Sequence, residues 1–144
     1  MIVTFCGHKN VSDSTVVGKK LRVVIEELIS RGATEFYLGG YGGFDSLAAS
    51  TVRSLKASHP NIRLILVIPY LNREYDSKAY DELLYPPLEN VLPRYAISKR
   101  NEWMVEEAQI VVSYVTHDWG GASKTLAFAK RKKKEIISVV PVTP

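Results

Sequence analysis

Cysteine appears once in the 144 residues, as Cys6. One thiol cannot close an internal disulfide, which excludes a small disulfide-stapled secreted scaffold. Long apolar runs are missing too: Leu64–Ile68 stops at Pro69, whereas a membrane-crossing helix needs about 18 or more such residues. No membrane span is expected. Met1–Cys6 is not a basic leader, and the chain turns polar at Gly7-His8-Lys9, so no secretory signal is read and a cytoplasmic location is expected. Internal repeats, linkers and low-complexity stretches are absent. What remains is ordinary for a globular chain, 46% hydrophobic and 24% charged, which excludes disordered, collagen-like and coiled-coil classes. A chain of this length buries about 68–70% of its unfolded surface, so residues 1–144 are expected to form one domain.

The net charge of +4 would suit a nucleic-acid partner if it covered a face. Instead, Lys130-Arg131-Lys132-Lys133-Lys134 supplies five positive charges in a row and the rest of the chain stands at −1. Cations are favoured where a helix ends, because the macrodipole is negative there. A solvated helix end is therefore preferred over a nucleic-acid patch.

Hydrophobic periodicity predicts alternating strands and helices. Ile2, Val3 and Phe5 read as a strand, and Ser12-Asp13-Ser14 can cap a helix running to about Ser30. Val16, Val17, Leu21, Val24, Ile25, Leu28 and Ile29 form its buried stripe, and Gly32 suits a left-handed stop. Phe36-Tyr37-Leu38 is a second strand, followed by glycines and a helix through Leu47, Ala48, Val52 and Leu55 that Pro60 closes. The continuous run from Ile62 to Ile68 suits a parallel strand covered on both faces. Residues 76–95 are read as mostly loop, because Pro86, Pro87 and Pro93 interrupt them. Ser98 is placed as the cap of a helix through Glu107 with Trp103 and Met104 inward. Ile110–Val115 and Ile136–Val140 are further strands, flanking a helix after Gly120-Gly121. The fold class expected is α/β, a three-layer Rossmann-like domain with a mainly parallel sheet.

Ligands of such sheets bind beyond the carboxyl ends of the strands. Three loops open there: Gly7-His8-Lys9-Asn10, Gly39-Gly40-Tyr41-Gly42-Gly43, and Thr116 through Thr125. Glycines at a strand-to-helix turn let backbone N–H groups approach an anion, and the helix dipole assists. The dinucleotide fingerprint fails, because Asp45 stands where a third glycine is required and the loop follows the second strand. A P-loop fails too, since no glycine precedes Lys124. There is no Gly-x-Ser-x-Gly elbow. No metal site is expected, as His117-Asp118 is only a neighbour pair, and no cofactor is expected. His8, His59 and His117 are by default structural or hydrogen-bonding groups. Lys99 and Arg100, with Arg94 upstream, are expected to crowd the first turn of the helix after Ser98. Cations there oppose the dipole, so a bound phosphate or a neighbouring Glu102 should compensate.

Phe5-Cys6-Gly7-His8-Lys9, Gly39-Gly40-Tyr41-Gly42-Gly43-Phe44-Asp45 and Lys99-Arg100-Asn101-Glu102-Trp103-Met104-Val105 together resemble the SLOG superfamily of Rossmann-like proteins, in its YpsA-like and YoqJ-like branch. The matching blocks are Thr/Cys-Gly-His-Arg, Gly-Gly-x-x-Gly-Phe-Asp and Arg-Asn-x-x-Met. The resemblance implies a nucleotide-type ligand and a homodimer. The superfamily also includes lonely-guy-type phosphoribohydrolases and the DNA-processing protein A family, which binds single-stranded DNA. The hydrolases carry Pro-Gly-Gly-x-Gly-Thr-x-x-Glu; at those positions this chain has Trp119 for Pro, Ser123 for the third Gly, Lys124 for Thr and Ala127 for the catalytic Glu.

The expectation is therefore binding or sensing of a nucleotide-like small molecule carrying ribose and phosphate, such as an NAD-derived or ADP-ribose-like ligand. Gly7, His8, Lys9, Gly39, Gly40, Gly42, Gly43, Arg100, Asn101, Gly120, Gly121, Ser123, Lys124 and Thr125 are the expected ligand-binding residues, with Asp45 the one carboxylate available for catalysis. Asp45 is expected to contact ribose hydroxyls or cap the local helix and, lying at a helix start, to be a weak base. One alternative is an N-glycosidase using Asp45. Another is a single-stranded nucleic-acid module using Arg94, Lys99, Arg100 and the basic run, with Tyr41 or Trp119 stacking bases. The homodimer expectation also draws on the apolar, Trp- and Met-bearing helix from Ser98 to Glu107.

Overall fold

A computed structural model describes residues 1–142. Six strands, β1 (Ile2–Gly7), β2 (Glu35–Leu38), β3 (Arg63–Val67), β4 (Glu82–Leu84), β5 (Ile110–Tyr114) and β6 (Glu135–Ser138), alternate with four helices, α1 (Ser14–Ser30), α2 (Gly43–Leu55), α3 (Ala96–Glu107) and α4 (Gly121–Arg131). One-turn 3₁₀ helices occupy Ser77–Ala79 and Pro93–Tyr95. The strands form one sheet in the order β4-β3-β2-β1-β5-β6, and every ladder is parallel. The fold is the three-layer Rossmann-like α/β architecture. The chain builds outward from β1 on one side through β2, β3 and β4, then returns to its other side for β5 and β6. The reversal lies between β1 and β5, the point at which such sheets open a crevice.

Alternation along the strands separates two cores. Val3, Phe5, Phe36, Leu38 and Leu64 face Leu21, Ile25, Ala48 and Val52 of α1 and α2. Cys6 and Val111 pack with Val105 and Ala129 on the other face, where Tyr37, Ile65 and Val67 meet Met104. Trp103 stacks flat on Tyr37 at 5.8 Å between ring centroids. The apolar side of α3 is therefore spent on this chain's own sheet and supplies no argument for a dimer. Val16, expected inside, lies 43% exposed, while Val17 is buried.

The stop at Gly32 is as expected: with φ +107, it lets Gly32 N–H reach the Ile29 carbonyl and Ala33 N–H the Leu28 carbonyl, the paired bonds of a Schellman motif. The basic run does the same work for α4. Lys133 takes φ +57, Lys133 N–H donates to the Lys130 carbonyl, and Lys134 N–H donates to the Ala129 carbonyl.

Two expectations are corrected. Residues 82–84, read as loop, are an edge strand. Three residues before Pro86-Pro87 carry too little pattern to announce a strand, and β4 is instead fixed by remote bonds. The Asp81 carboxylate accepts from Leu64 N–H at 2.7 Å and pairs with Lys56. The helix expected to be capped by Ser98 is instead capped at Tyr95 and begins at Ala96, directly after the 3₁₀ turn that Pro93 opens. Pro supplies a helical φ and needs no N–H partner, so initiation shifts upstream. Lys99 consequently stands at the fourth helical position and Arg100 at the fifth, so the dipole conflict is reduced.

Gly7 lies where β1 passes under α2. A Cβ there would stand 2.2 Å from the Phe44 ring, and Phe44 is fully buried. Gly7→Ala should therefore lose about 1–3 kcal/mol or more through overpacking, read as a lowered urea midpoint. An unchanged midpoint would show that the two elements can separate freely.

Candidate functional site

All the expected loops leave the carboxyl edge of the sheet, and three of them touch. The β1 loop meets the β2 loop where Gly43 N–H donates to the Lys9 carbonyl at 2.7 Å. It meets the β5 loop where Thr116 N–H donates to His8 Nε2 at 2.8 Å. Tyr41 carries Lys9 5.9 Å above its ring.

The two glycine caps share one backbone geometry. Gly42 before α2 has φ 94 and ψ 175, and Gly120 before α4 has φ 93 and ψ 176. That region is open essentially to glycine alone. Their surroundings are opposite. At α2 the first N–H groups are already used, Gly43 by the Lys9 carbonyl and Phe44 by the His8 carbonyl. A Cβ on Gly43 would lie 2.6 Å from the Lys9 carbonyl oxygen, and one on Gly42 2.9 Å from Lys9 Cα. These glycines permit close backbone packing. At α4, the N–H groups of Gly121, Ala122 and Ser123 reach no acceptor among the described residues. A Cβ on Gly121 would meet nothing within 4 Å. No acidic side chain lies in the first turn, and Lys124 stands just behind it, exposed. Thr125 is turned inward, donating to the Gly121 carbonyl at 2.9 Å.

Arg100 lies elsewhere than its sequence position suggests. It is 4% exposed, and its Nη1 donates to the Gly39 carbonyl at 3.1 Å and to the Val67 carbonyl at 2.9 Å. Its Nε donates to Asn101 Oδ1 at 2.8 Å, which makes Asn101 a positioning residue for the guanidinium. Gly39 must be glycine for this packing, since a Cβ would come within 2.9 Å of Cζ. The compensation expected for the neighbouring cations is also local: Lys99 pairs with Glu102 at 3.3 Å, and Arg94 lies over the Tyr95 ring at 5.0 Å.

Asp45 accepts from Tyr41 N–H at 3.2 Å. Its carboxyl is nevertheless pushed from 3.8 up to about 6, because burial outweighs the bonds from Tyr41 and Gly40 and the charge of Arg100. The expectation of a weak base at a helix start is overturned. Desolvation, which a helix-position argument leaves out, dominates. Cys6 is inert by the same effect, its thiol pushed up to about 12 chiefly by burial.

Sequence reasoning left one feature unassembled, a column of three rings at the β1/β5 crevice. His8 stacks on His117 at 3.7 Å and 13°, and His117 on Trp119 at 3.7 Å and 16°. The signal was present in His117-Asp118-Trp119 directly before the glycine pair, but only the fold brings His8 beneath it. A groove of about 410 Å³ between α1 and α2, lined by residues such as Ser14, Lys19, Arg22 and Ser50, lies away from these loops. It holds none of the glycine caps and no displaced carboxyl, so the chemistry points to the sheet edge.

No protein-family model matches the chain. It is 29% identical over 135 residues to the SPbeta prophage-derived protein YoqJ of Bacillus subtilis, covering 78% of this chain and 79% of that one. It is 26% identical over 166 residues to the UPF0398 protein of Halalkalibacterium halodurans, covering 99% and 88%. Among solved structures, DNA processing protein A of Helicobacter pylori, described for its single-stranded DNA binding, matches with TM-score 0.70 at 16% identity over 99% of this chain and 66% of that one. The molybdenum cofactor carrier protein of Chlamydomonas reinhardtii matches with TM-score 0.61 at 16% identity, over 95% and 75%. The structural matches establish the shared fold. The sequence relatives are consistent with the resemblance to the SLOG superfamily read from the sequence.

Because the folded state favours the protonated Asp45, native stability falls as pH rises from about 4 through about 6. By linkage, Asp45→Asn should gain on the order of 1–3 kcal/mol over the parent at pH 7 and little at pH 4. Urea unfolding at both pH values reads this difference, and an equal effect at the two would contradict a raised carboxyl pKa.

Proposed function

We propose that the protein binds a nucleotide-type small molecule, carrying ribose and phosphate, at the carboxyl edge of its sheet. The observation that carries this reading is the contrast between two glycine caps of one geometry: the α2 cap is closed by backbone, and the α4 cap is open. An open helix N-terminus offers N–H donors and a favourable dipole to an anion. The phosphate is assigned to Gly120, Gly121, Ser123 and Lys124. Asp45, a carboxylate that repels phosphate but accepts from hydroxyls, is assigned to the ribose. The β1 loop with His8 and Lys9 walls the site. Arg100 and Asn101 hold Gly39 and Asp45 in place, and Arg100 reaches ligand only through Nη2.

The nucleic-acid alternative weakens on topology. α3 enters from the carboxyl edge, whereas the basic run at the end of α4 lies at the opposite edge, so Arg94, Lys99 and the run form no common groove. The N-glycosidase alternative gains one observation, the Asp45 carboxyl near 6, which suits proton transfer at neutral pH.

Gly121→Asp places a carboxylate at the proposed anion site without a clash and with a favourable helix dipole. It should cut affinity for AMP or ADP-ribose at least about tenfold in calorimetry, since like charges oppose each other there, while leaving the melting temperature unchanged or higher. Retained binding would overturn the phosphate assignment. Chromatography of the same mixtures should show no free base; release that vanishes in Asp45→Asn would establish the glycosidase instead.

A homodimer, implied by the family resemblance, belongs to the same proposal. Light scattering at micromolar concentration should give twice the chain mass, and a monomer mass would overturn it.

A further inference from the structure

The column His8–His117–Trp119 stands at the strand-order reversal, immediately before the open cap of α4. Its inner end is fixed: His8 is buried, accepts from Thr116 N–H through Nε2, and lies edge-on to Tyr114 with centroids 6.1 Å apart. That acceptor role requires a neutral ring with its proton on Nδ1. The middle ring is incomplete, because His117 Nδ1 is shut off from solvent with no hydrogen-bond partner among the described residues. The outer end is unfinished in another sense: Trp119 is 67% exposed, although burying an indole is normally favourable. A hydrophobic ring held in water by a stack beneath it presents a flat face at no further ordering cost.

Resting on the nucleotide reading above, we propose that the outer face of Trp119 is the platform for the ligand's aromatic base, with His117 and His8 as its rigid backing. Trp119 adjoins Gly120, so a base stacked on the indole brings the phosphate of the same nucleotide within reach of the α4 cap. Stacking reads the π-face and not the base edge, so the platform favours purines over pyrimidines by area. The ligand is a free nucleotide and not a strand, because no line of cations continues from the platform: the basic run is at the far edge of the sheet.

The test uses the full chain, with AMP and ribose 5-phosphate as probes, in calorimetry and tryptophan fluorescence. Trp103→Phe leaves Trp119 as the only indole and retains a ring against Tyr37. AMP should quench Trp119 emission and bind at least about tenfold more tightly than ribose 5-phosphate. Trp119→Ala should remove that advantage, leaving ribose 5-phosphate affinity unchanged, and Trp119→Phe should restore most of it. Equal affinities of the two probes, or equal losses of both in Trp119→Ala, would overturn the platform while leaving the phosphate site standing. Binding of neither probe would overturn both. Preference for a ten-nucleotide single strand over AMP, with a steep loss on adding salt, would overturn the free-nucleotide assignment.

Discussion

The guanidinium of Arg100 is sealed beneath the β2–α2 loop, where its charge cannot be solvated by bulk water, and it stays protonated because arginine has no accessible neutral form. A charge so placed must be met by oriented polar groups. Nη1 takes the carbonyls that end two neighbouring strands, those of Gly39 and Val67, and Asp45 supplies the opposing charge. Much of the sheet edge follows from this arrangement. Gly39 has to lack a side chain, the loop has to fold back so that Tyr41 N–H meets Asp45, and α2 has to begin where Asp45 can reach both. The helix then packs on β1 only because Gly7 admits Phe44.

The same constraint explains why one glycine loop is closed and the other open. The first loop is bound from below by Arg100 and from the side by Lys9, and the N–H donors of Tyr41, Gly43 and Phe44 are used in making the scaffold. The second loop is tied to His8 through Thr116 N–H and the His117 ring, but the N–H groups of Gly121, Ala122 and Ser123 have no acceptor among the described residues. Equal backbone angles at Gly42 and Gly120 thus serve different ends, one to let backbones touch and one to leave a helix terminus bare. A bare terminus with three unmet N–H groups and a nearby lysine breaks the local rules of helix capping. Such breaks gather where a ligand completes the structure.

The strands, helices and their order were legible because both cores repeat at spacings of two and three to four residues, as in Val3/Phe5 and Leu21/Ile25/Leu28. The common edge for the glycine loops was legible from parallel connectivity alone. What the residues could not show depends on contacts far apart in the chain. β4 is held by Asp81 reaching Leu64. Asp45 titrates high because of what covers it, and His8 meets His117 only across the β1/β5 ladder. The dipole conflict expected at α3 weakens because the helix cap lies three residues upstream, at Tyr95 instead of Ser98, after the turn that Pro93 opens.

Lys99 and Lys124 both stand at the fourth position of their helices, α3 and α4, but among the described residues only Lys99 has an acid beside it, Glu102. Helix α4 carries Lys130 and Arg131 in its last turn, where they complement the macrodipole, and Lys124 near its first, where it opposes it. Among the described residues no acid pairs with Lys124, and the basic run extending past the helix end cannot balance it, being both of the same sign and at the other edge of the sheet. The positive end of α4 is therefore reinforced by its own side chain and exposed to water. Asp45 provides the opposite case, a half-buried carboxylate whose ionisation lowers native stability at neutral pH. An excess of positive potential at one loop and a reluctant anion at the next are unfavourable for the empty protein. The proposed ligand would relieve both, with its phosphate at the first and its hydroxyl donors at the second, so polarity along this edge, more than the glycines themselves, supports the ribose-phosphate proposal.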